Sequence, residues 1–212
     1  MRIPRLIVAA LLLLLALVPV QAQKTAVRYG VFEESMLSTK QYANPIQDVQ
    51  VTVTITDPRG NRKELEAFWD GFSVWKFRYM PRMAGPHTFT VKCSDPSNPG
   101  LNAPGDQFVA VEYRGDNPLL QRGPIVLSEN RRHFQHADGT PFFLVSDTAW
   151  NGALLSDDEE WERYLKERKA QNFNTVQFVT TQWRAAYADA EGQTAFSGID
   201  SVSINPSFFQ RM

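Results

Sequence analysis

The chain has 212 residues, with 22 Lys and Arg against 23 Asp and Glu and a formal net charge of −1. That balance lacks the clustered basic excess of a phosphate-binding protein and argues against nucleic acid as a partner. With 43% hydrophobic residues it also excludes wholesale disorder, and a single cysteine excludes an internal disulfide framework or an all-thiolate metal centre.

Residues 1–22 read as a secretory signal. Arg2 and Arg5 supply a positive start, Leu6 to Val18 is an unbroken apolar run, Pro19 breaks it, and Val20-Gln21-Ala22 offers small residues for cleavage. Thirteen apolar residues fall short of the roughly 20 that span a bilayer. No cysteine follows the run, so no lipid anchor is expected. The pattern predicts a secreted or periplasmic protein with no membrane association after cleavage.

Residues 23–114 carry period-two patterning. Val49, Val51, Val53 and Ile55 alternate with polar residues up to the turn Asp57-Pro58-Arg59-Gly60. Val74 to Tyr79, His87 to Lys92 and Gln107 to Glu112 repeat the form. The spacing predicts an all-β, immunoglobulin-like sandwich. Phe68, Trp69, Trp75 and Tyr79 offer either a sugar-stacking platform or core filling, and large aromatic burial favours the core. Cys93 is expected to be a small buried hydrophobe.

Residues 115–124, with Pro118 and Pro124, read as a linker, and the period changes after it. Ile125 to Val145 resembles a hairpin turning at Ala137-Asp138-Gly139-Thr140, and Phe142 to Val145 is expected as a strand buried on both faces. Ser156 with Glu159 suggests a capping box, with Asp157, Asp158 and Glu160 suited to the positive helix end. Trp161, Tyr164, Leu165 and Arg168 fall on one face, the arginine through its alkyl stem. Asn172 is a candidate residue just past the helix end, and Asn174 to Val179 reads as a second buried strand. Strand, helix and strand form a βαβ unit with parallel strands, whose functional groups gather at strand carboxyl ends.

Asp138-Gly139-Thr140-Pro141-Phe142-Phe143-Leu144-Val145-Ser146-Asp147-Thr148-Ala149-Trp150 resembles the opening strand of the apiosidase-like glycoside hydrolases, where a DGTPFF…GDTAW run leads into the first barrel helix. Arg168 to Gln177 is similar to that family's R…GFNVIQ segment. Tyr42-Ala43-Asn44-Pro45, Phe68-Trp69-Asp70-Gly71 and Lys76 to Pro81 resemble the immunoglobulin-like module that precedes such domains. Ser146 stands where glycine is usual, and Asn172 where glycine is commoner.

The resemblance implies that residues 125–212 begin a (β/α)8 TIM barrel. Such a barrel takes about 250 residues, so this segment is expected to be its opening third, with the two catalytic carboxylates beyond Met212. The implied substrate is a plant or microbial polysaccharide or oligosaccharide, with no cofactor and no metal. The chain alone is expected to be inactive, because glycosidases of this kind use a pair of carboxylates. Asp147 is either an acceptor for a sugar hydroxyl or a cap on the following turn. Trp150 is either an apolar wall for a sugar ring or barrel packing, and Gln182 and Trp183 complete the same rim. The alternative is a non-catalytic carbohydrate-binding or adhesion protein built on the sandwich.

Overall fold

The period-two runs become two sheets that share one core. In the computed structural model residues 23–102 and 104–211 are described, and the expected signal segment 1–22 lies outside them. Strand β3 (Val51–Thr56) turns Val51, Val53 and Ile55 inward, where all three are buried. It pairs antiparallel with β4 (Arg62–Glu66) and with β7 (Gly85–Cys93). β8 (Asp106–Val111) and the parallel β1 (Thr25–Val27) complete a five-stranded sheet in the order β1-β8-β7-β3-β4. The facing sheet runs β2 (Phe32–Leu37), β6 (Val74–Tyr79), β5 (Phe68–Trp69).

Aromatic rings fill the space between the sheets. Phe32 stacks on Phe108 at 3.8 Å between centroids, and Phe77 meets Phe89 edge-on at 5.1 Å. Trp75 and Cys93 lie in this core, with Trp69 and Tyr79 packed against it, as burial of large aromatics predicts. Phe68 departs from that expectation: it remains 37% exposed, with the Arg78 guanidinium 5.1 Å from its ring.

One end of the sandwich is closed by polar groups. Buried Asn98 donates to Ser38 Oγ (2.8 Å) and Tyr42 OH (2.9 Å), and accepts from Thr39 N and Oγ1. The Asn98 amide thereby has a partner at both its nitrogen and its oxygen.

The expected linker at 115–124 is not simply extended. Asn117 accepts from Leu119 N at 3.0 Å and caps a short helix, α2 (Pro118–Arg122), which follows α1 (Pro45–Asp48) in chain order. Proline at the start needs no N–H partner there, and Gly123 at φ +83° ends the turn. Beyond it, β9 (Ile125–Leu127), β10 (Phe134–His136) and β11 (Pro141–Phe142) form an antiparallel meander. Its second turn is the one expected, with Gly139 at φ +91°.

The apolar run that follows does not form one buried strand. Phe142 ends β11, Phe143 is 84% exposed, and the next strand, β12, is Ser146–Thr148. Backbone groups around Val145 are held by Asn174 instead, whose Oδ1 accepts from Val145 N and whose Nδ2 donates to Phe143 O. β12 pairs in parallel with β13 (Thr175–Gln177) and with no other strand among the described residues, so its sides lack the cover that buried strands need. A βαβ unit is therefore present, and no closed barrel is seen among the described residues. No described helix is long and apolar enough to cross a membrane.

Candidate functional site

The two parallel strands bring the chemistry-bearing residues together. After β12 the chain makes one helical turn, α3 (Gly152–Leu155), and then enters α4 (Asp158–Ala170). The capping box sits one residue later than expected: Asp157 Oδ1 accepts from Glu160 N at 2.8 Å, and Glu160 Oε2 accepts from Asp157 N. Ser156 is already committed as the cap of α3, donating to Gly152 O at 2.6 Å. At the far end Asn172 takes φ +67°, with Asn172 N donating to Lys169 O and Phe173 N to Arg168 O, which closes the helix in a Schellman motif.

α4 carries its aromatic face to the strands without burying any residue fully. Trp161 stacks on Tyr164 at 5.2 Å and meets Phe178 edge-on. Arg168 works through its guanidinium rather than through its stem alone. Its Nε donates to Asp147 Oδ2, beside the Tyr164 OH, which donates to the same oxygen at 2.8 Å.

Asp147 lies inside β12, opposite Val176, rather than past the strand's end. Its other oxygen accepts from Thr148 N at 2.8 Å. The Tyr164 hydroxyl, the Arg168 guanidinium and the Thr148 N–H together hold its carboxyl below the usual carboxylate range. Burial and this same carboxylate push the Tyr164 phenol up. Asp147 thus ties strand to helix.

Trp150, 49% exposed, follows β12, and Trp183 follows β13. Their ring centroids lie 6.0 Å apart at 39°. Trp183 is fixed by an Nε1 hydrogen bond to Asn151 Oδ1 at 2.7 Å and by packing on a small core of Leu154, Ala186, Ala195 and Phe208. Gln182 spends its amide on the backbone: Oε1 accepts from Ala195 N and Phe196 N, and Nε2 donates to Phe196 O. The structure therefore joins Trp150 and Trp183 into one aromatic surface, while Asp147 and Gln182 hold the frame behind it.

Sequence reasoning missed a second acidic anchor. Asp189 is buried, accepts from Glu191 N and Gln193 N, and stands 3.0 Å from Arg211 of the last helix, α5 (Pro206–Arg211). Nothing in the local pattern marks the pair, since the residues are remote in sequence and neither lies in a motif. Among the described residues no three His, Cys, Asp or Glu side chains gather in a metal-binding group.

Residues 128–212 match the family model of the apiosidase-like catalytic domain. Residues 25–94 match a domain of unknown function, DUF5060. No curated protein matches the chain. Among solved structures, one described as "a putative glycoside hydrolase from Bacteroides vulgatus ATCC 8482" superimposes with a TM-score of 0.70 at 21% identity. The match covers 89% of this chain and 38% of that one, so the two share a fold and this chain spans well under half of that protein. The Lin-41 filamin domain matches at a TM-score of only 0.30 and 17% identity, over 45% of this chain and 88% of that one, too weak to bear on the fold.

Proposed function

With residues 128–212 assigned to the apiosidase-like catalytic domains, we propose that the protein is an exported glycoside hydrolase acting on plant or microbial polysaccharide. In this reading residues 23–114 form an immunoglobulin-like module, 115–124 join it to the catalytic part, and 125–212 open a TIM barrel. The observation that carries the reading is the Trp150–Trp183 pair at the ends of two parallel strands. A sugar ring has an apolar face of C–H groups, and a half-exposed indole gives that face a desolvating wall. Asp147, Gln182 and Asn151 keep the wall in place.

Hydrolysis needs an acid and a second carboxylate set on either side of the scissile bond. Asp147 and Asp189 are each committed to an arginine and suit neither role. We infer that the catalytic pair lies beyond Met212 and that this chain alone binds glycan without cleaving it. The test is to read the gene downstream of Met212 and to assay the extended chain for reducing-sugar release on a polysaccharide panel. Two carboxylates at later strand ends, with activity in the extended chain only, are expected. Absence of such a pair removes the hydrolase reading, and glycan binding without hydrolysis by the extended chain moves it to a carbohydrate-binding protein.

A further inference from the structure

A second surface of the right character lies away from the tryptophan pair. Strands β5 and β6 and helix α1 meet β14 (Ser203–Ile204) and α5 across a half-open cleft of about 1210 Å³. The walls touch at its base: a Cβ on Gly71 would lie 3.4 Å from Pro206, and Gln210 Nε2 donates to Asp70 O at 2.7 Å. Phe68 presents its ring from one wall and Phe209 from the other, and the two are 37% and 39% exposed.

Both cations of this cleft are paired. Lys76 Nζ lies 2.6 Å from Asp70 Oδ2, and Arg78 Nε lies 2.6 Å from Glu33 Oε2. Asp48 accepts from Asn44 N, and Glu66 accepts from the Gln50 amide. Donors and acceptors are thus plentiful: both lining cations are paired, while Asp48 and Glu66 hold only neutral donors and keep their negative charge at the cleft. Ligand pockets usually enclose about 300–1,000 Å³, so the space suits an extended ligand. Aromatic walls and carboxylates that accept from hydroxyls, with no unpaired lining cation to draw an anion, together complement a neutral polyhydroxyl chain, whose rings offer apolar faces and whose edges both donate and accept.

We propose that the cleft between the sandwich and α5 binds a neutral oligosaccharide, held between Phe68 and Phe209. The choice of ligand class rests on the glycan-active reading above. For that proposed hydrolase, such a site would keep a polymer beside the module while other segments occupy the tryptophan wall.

Calorimetric titration of the full chain carrying Trp150→Ala, with cellohexaose, xylohexaose and mannohexaose, tests the cleft without contribution from the wall. At least one hexasaccharide is expected to bind saturably below about 10 mM. Adding Phe68→Ala or Phe209→Ala should each weaken that binding by roughly 5- to 10-fold, the loss from a half-buried phenyl contact. Phe68 is partly exposed and stands outside the buried core of the sandwich, so its variant should keep the parent's circular dichroism. Absence of binding by all three sugars, unchanged affinity in the Phe68→Ala variant, or tighter binding of hexagalacturonate than of every neutral sugar overturns the proposal. Binding that depends on Phe68 in an extended chain that hydrolyses nothing keeps the cleft and removes only the hydrolase reading. Hydrolysis by the extended chain without Phe68-dependent binding does the reverse.

Discussion

Arg211, in the last turn of α5, reaches back to Asp189, with Nη1 3.0 Å from Oδ2 and Nη2 donating to Ser156 O at 2.7 Å. One guanidinium thereby links three segments: the helix, the loop after Trp183 and the end of α3. The 3.0 Å contact lacks hydrogen-bond alignment, so its attraction is coulombic. Asp189 also accepts two backbone N–H groups. Asp189→Ala should therefore cost about 3 kcal/mol, because it strands a guanidinium and two amides at once. Asp189→Asn keeps an acceptor for the amides and should cost less. Urea midpoints of the two variants check the order, and equal losses would show that the backbone acceptor contributes nothing.

The cap of α4 makes a second test. Asp157→Ala should lose about 1 kcal/mol, because Glu160 N loses its acceptor while Glu160 keeps only half of the box. Ser156→Ala removes a hydroxyl bond to Gly152 O at the end of a four-residue helix and should change stability less. Thermal unfolding followed by far-ultraviolet circular dichroism separates them. A larger loss at Ser156 would return the cap to the position that the S-x-x-E spacing suggests.

The reason for that one-residue shift also explains what else the sequence hides. The sandwich strands are legible because alternation over Val51–Thr56 or Val74–Tyr79 has one low-energy solution, apolar residues inward. Phe142 to Val145 has no such alternation, and a continuous apolar run leaves both register and strand limits open. Asn174 then decides the outcome by occupying the backbone groups of Phe143 and Val145. Trp150 and Trp183 were readable from their place after parallel strands. The roles of Asp147 and Gln182 were not, because only the fold brings Arg168 and Ala195 against them. Phe209 as a partner of Phe68 is the least legible of all, joining surfaces 141 positions apart in a cleft that no local pattern announces.

Gly100 offers a test of close packing. A Cβ there would lie 1.9 Å from Leu37 O, a backbone atom of β2 that cannot step aside cheaply. Gly100→Ala should therefore push the short 3₁₀ turn Pro99–Leu101 off the sandwich and disturb the Asn98 network beside it. The expected loss is about 1–3 kcal/mol, the usual range for overpacking. Gly60, whose Cβ would meet nothing, serves as the contrast for crowding, although its φ of +83° strains any side chain. Chemical denaturation of both variants measures the difference, and a Gly100→Ala protein as stable as the parent would contradict the geometry.

Stability should also depend on pH in a defined sense. Lys40 and Ser97 hold the Asp95 carboxyl well below its ordinary range, Tyr164 and Arg168 do the same for Asp147, and Arg78 does so for Glu33. A carboxyl lowered by folding adds stability above its unfolded pKa, about 4, and loses it as pH falls through the folded value. Asp70 raises Lys76, and Asp95 raises Lys40; such amines add stability below about 10.4 and lose it as pH rises through their folded values. The melting temperature should thus hold a plateau between these limits and fall on both sides. A steady rise on acidification from pH 5 to 3 would contradict the carboxylate assignments.

The two tryptophans of the wall should separate binding from folding. Trp183 makes a 2.7 Å hydrogen bond to Asn151 and packs on the Leu154 core, so Trp183→Ala should cost about 3 kcal/mol of stability as well as affinity. Trp150 is half exposed, and its backbone, not its indole, takes the bond from Val179 N at 3.0 Å. Trp150→Ala should consequently unfold near the parent midpoint while weakening glycan binding at the wall by roughly 10-fold, the equivalent of about 1.4 kcal/mol. Trp150→Phe keeps an apolar face and should recover part of that loss, a recovery that a purely structural role would not produce. The measurement is a titration with oligosaccharide in a Phe68→Ala background, which removes the proposed cleft from the signal, paired with a melting curve. If Trp150→Ala binds sugar as the parent does, the wall is packing surface and the substrate contact lies elsewhere. If it loses stability as Trp183→Ala does, the indole is part of the small core, and its exposed face has no separate task.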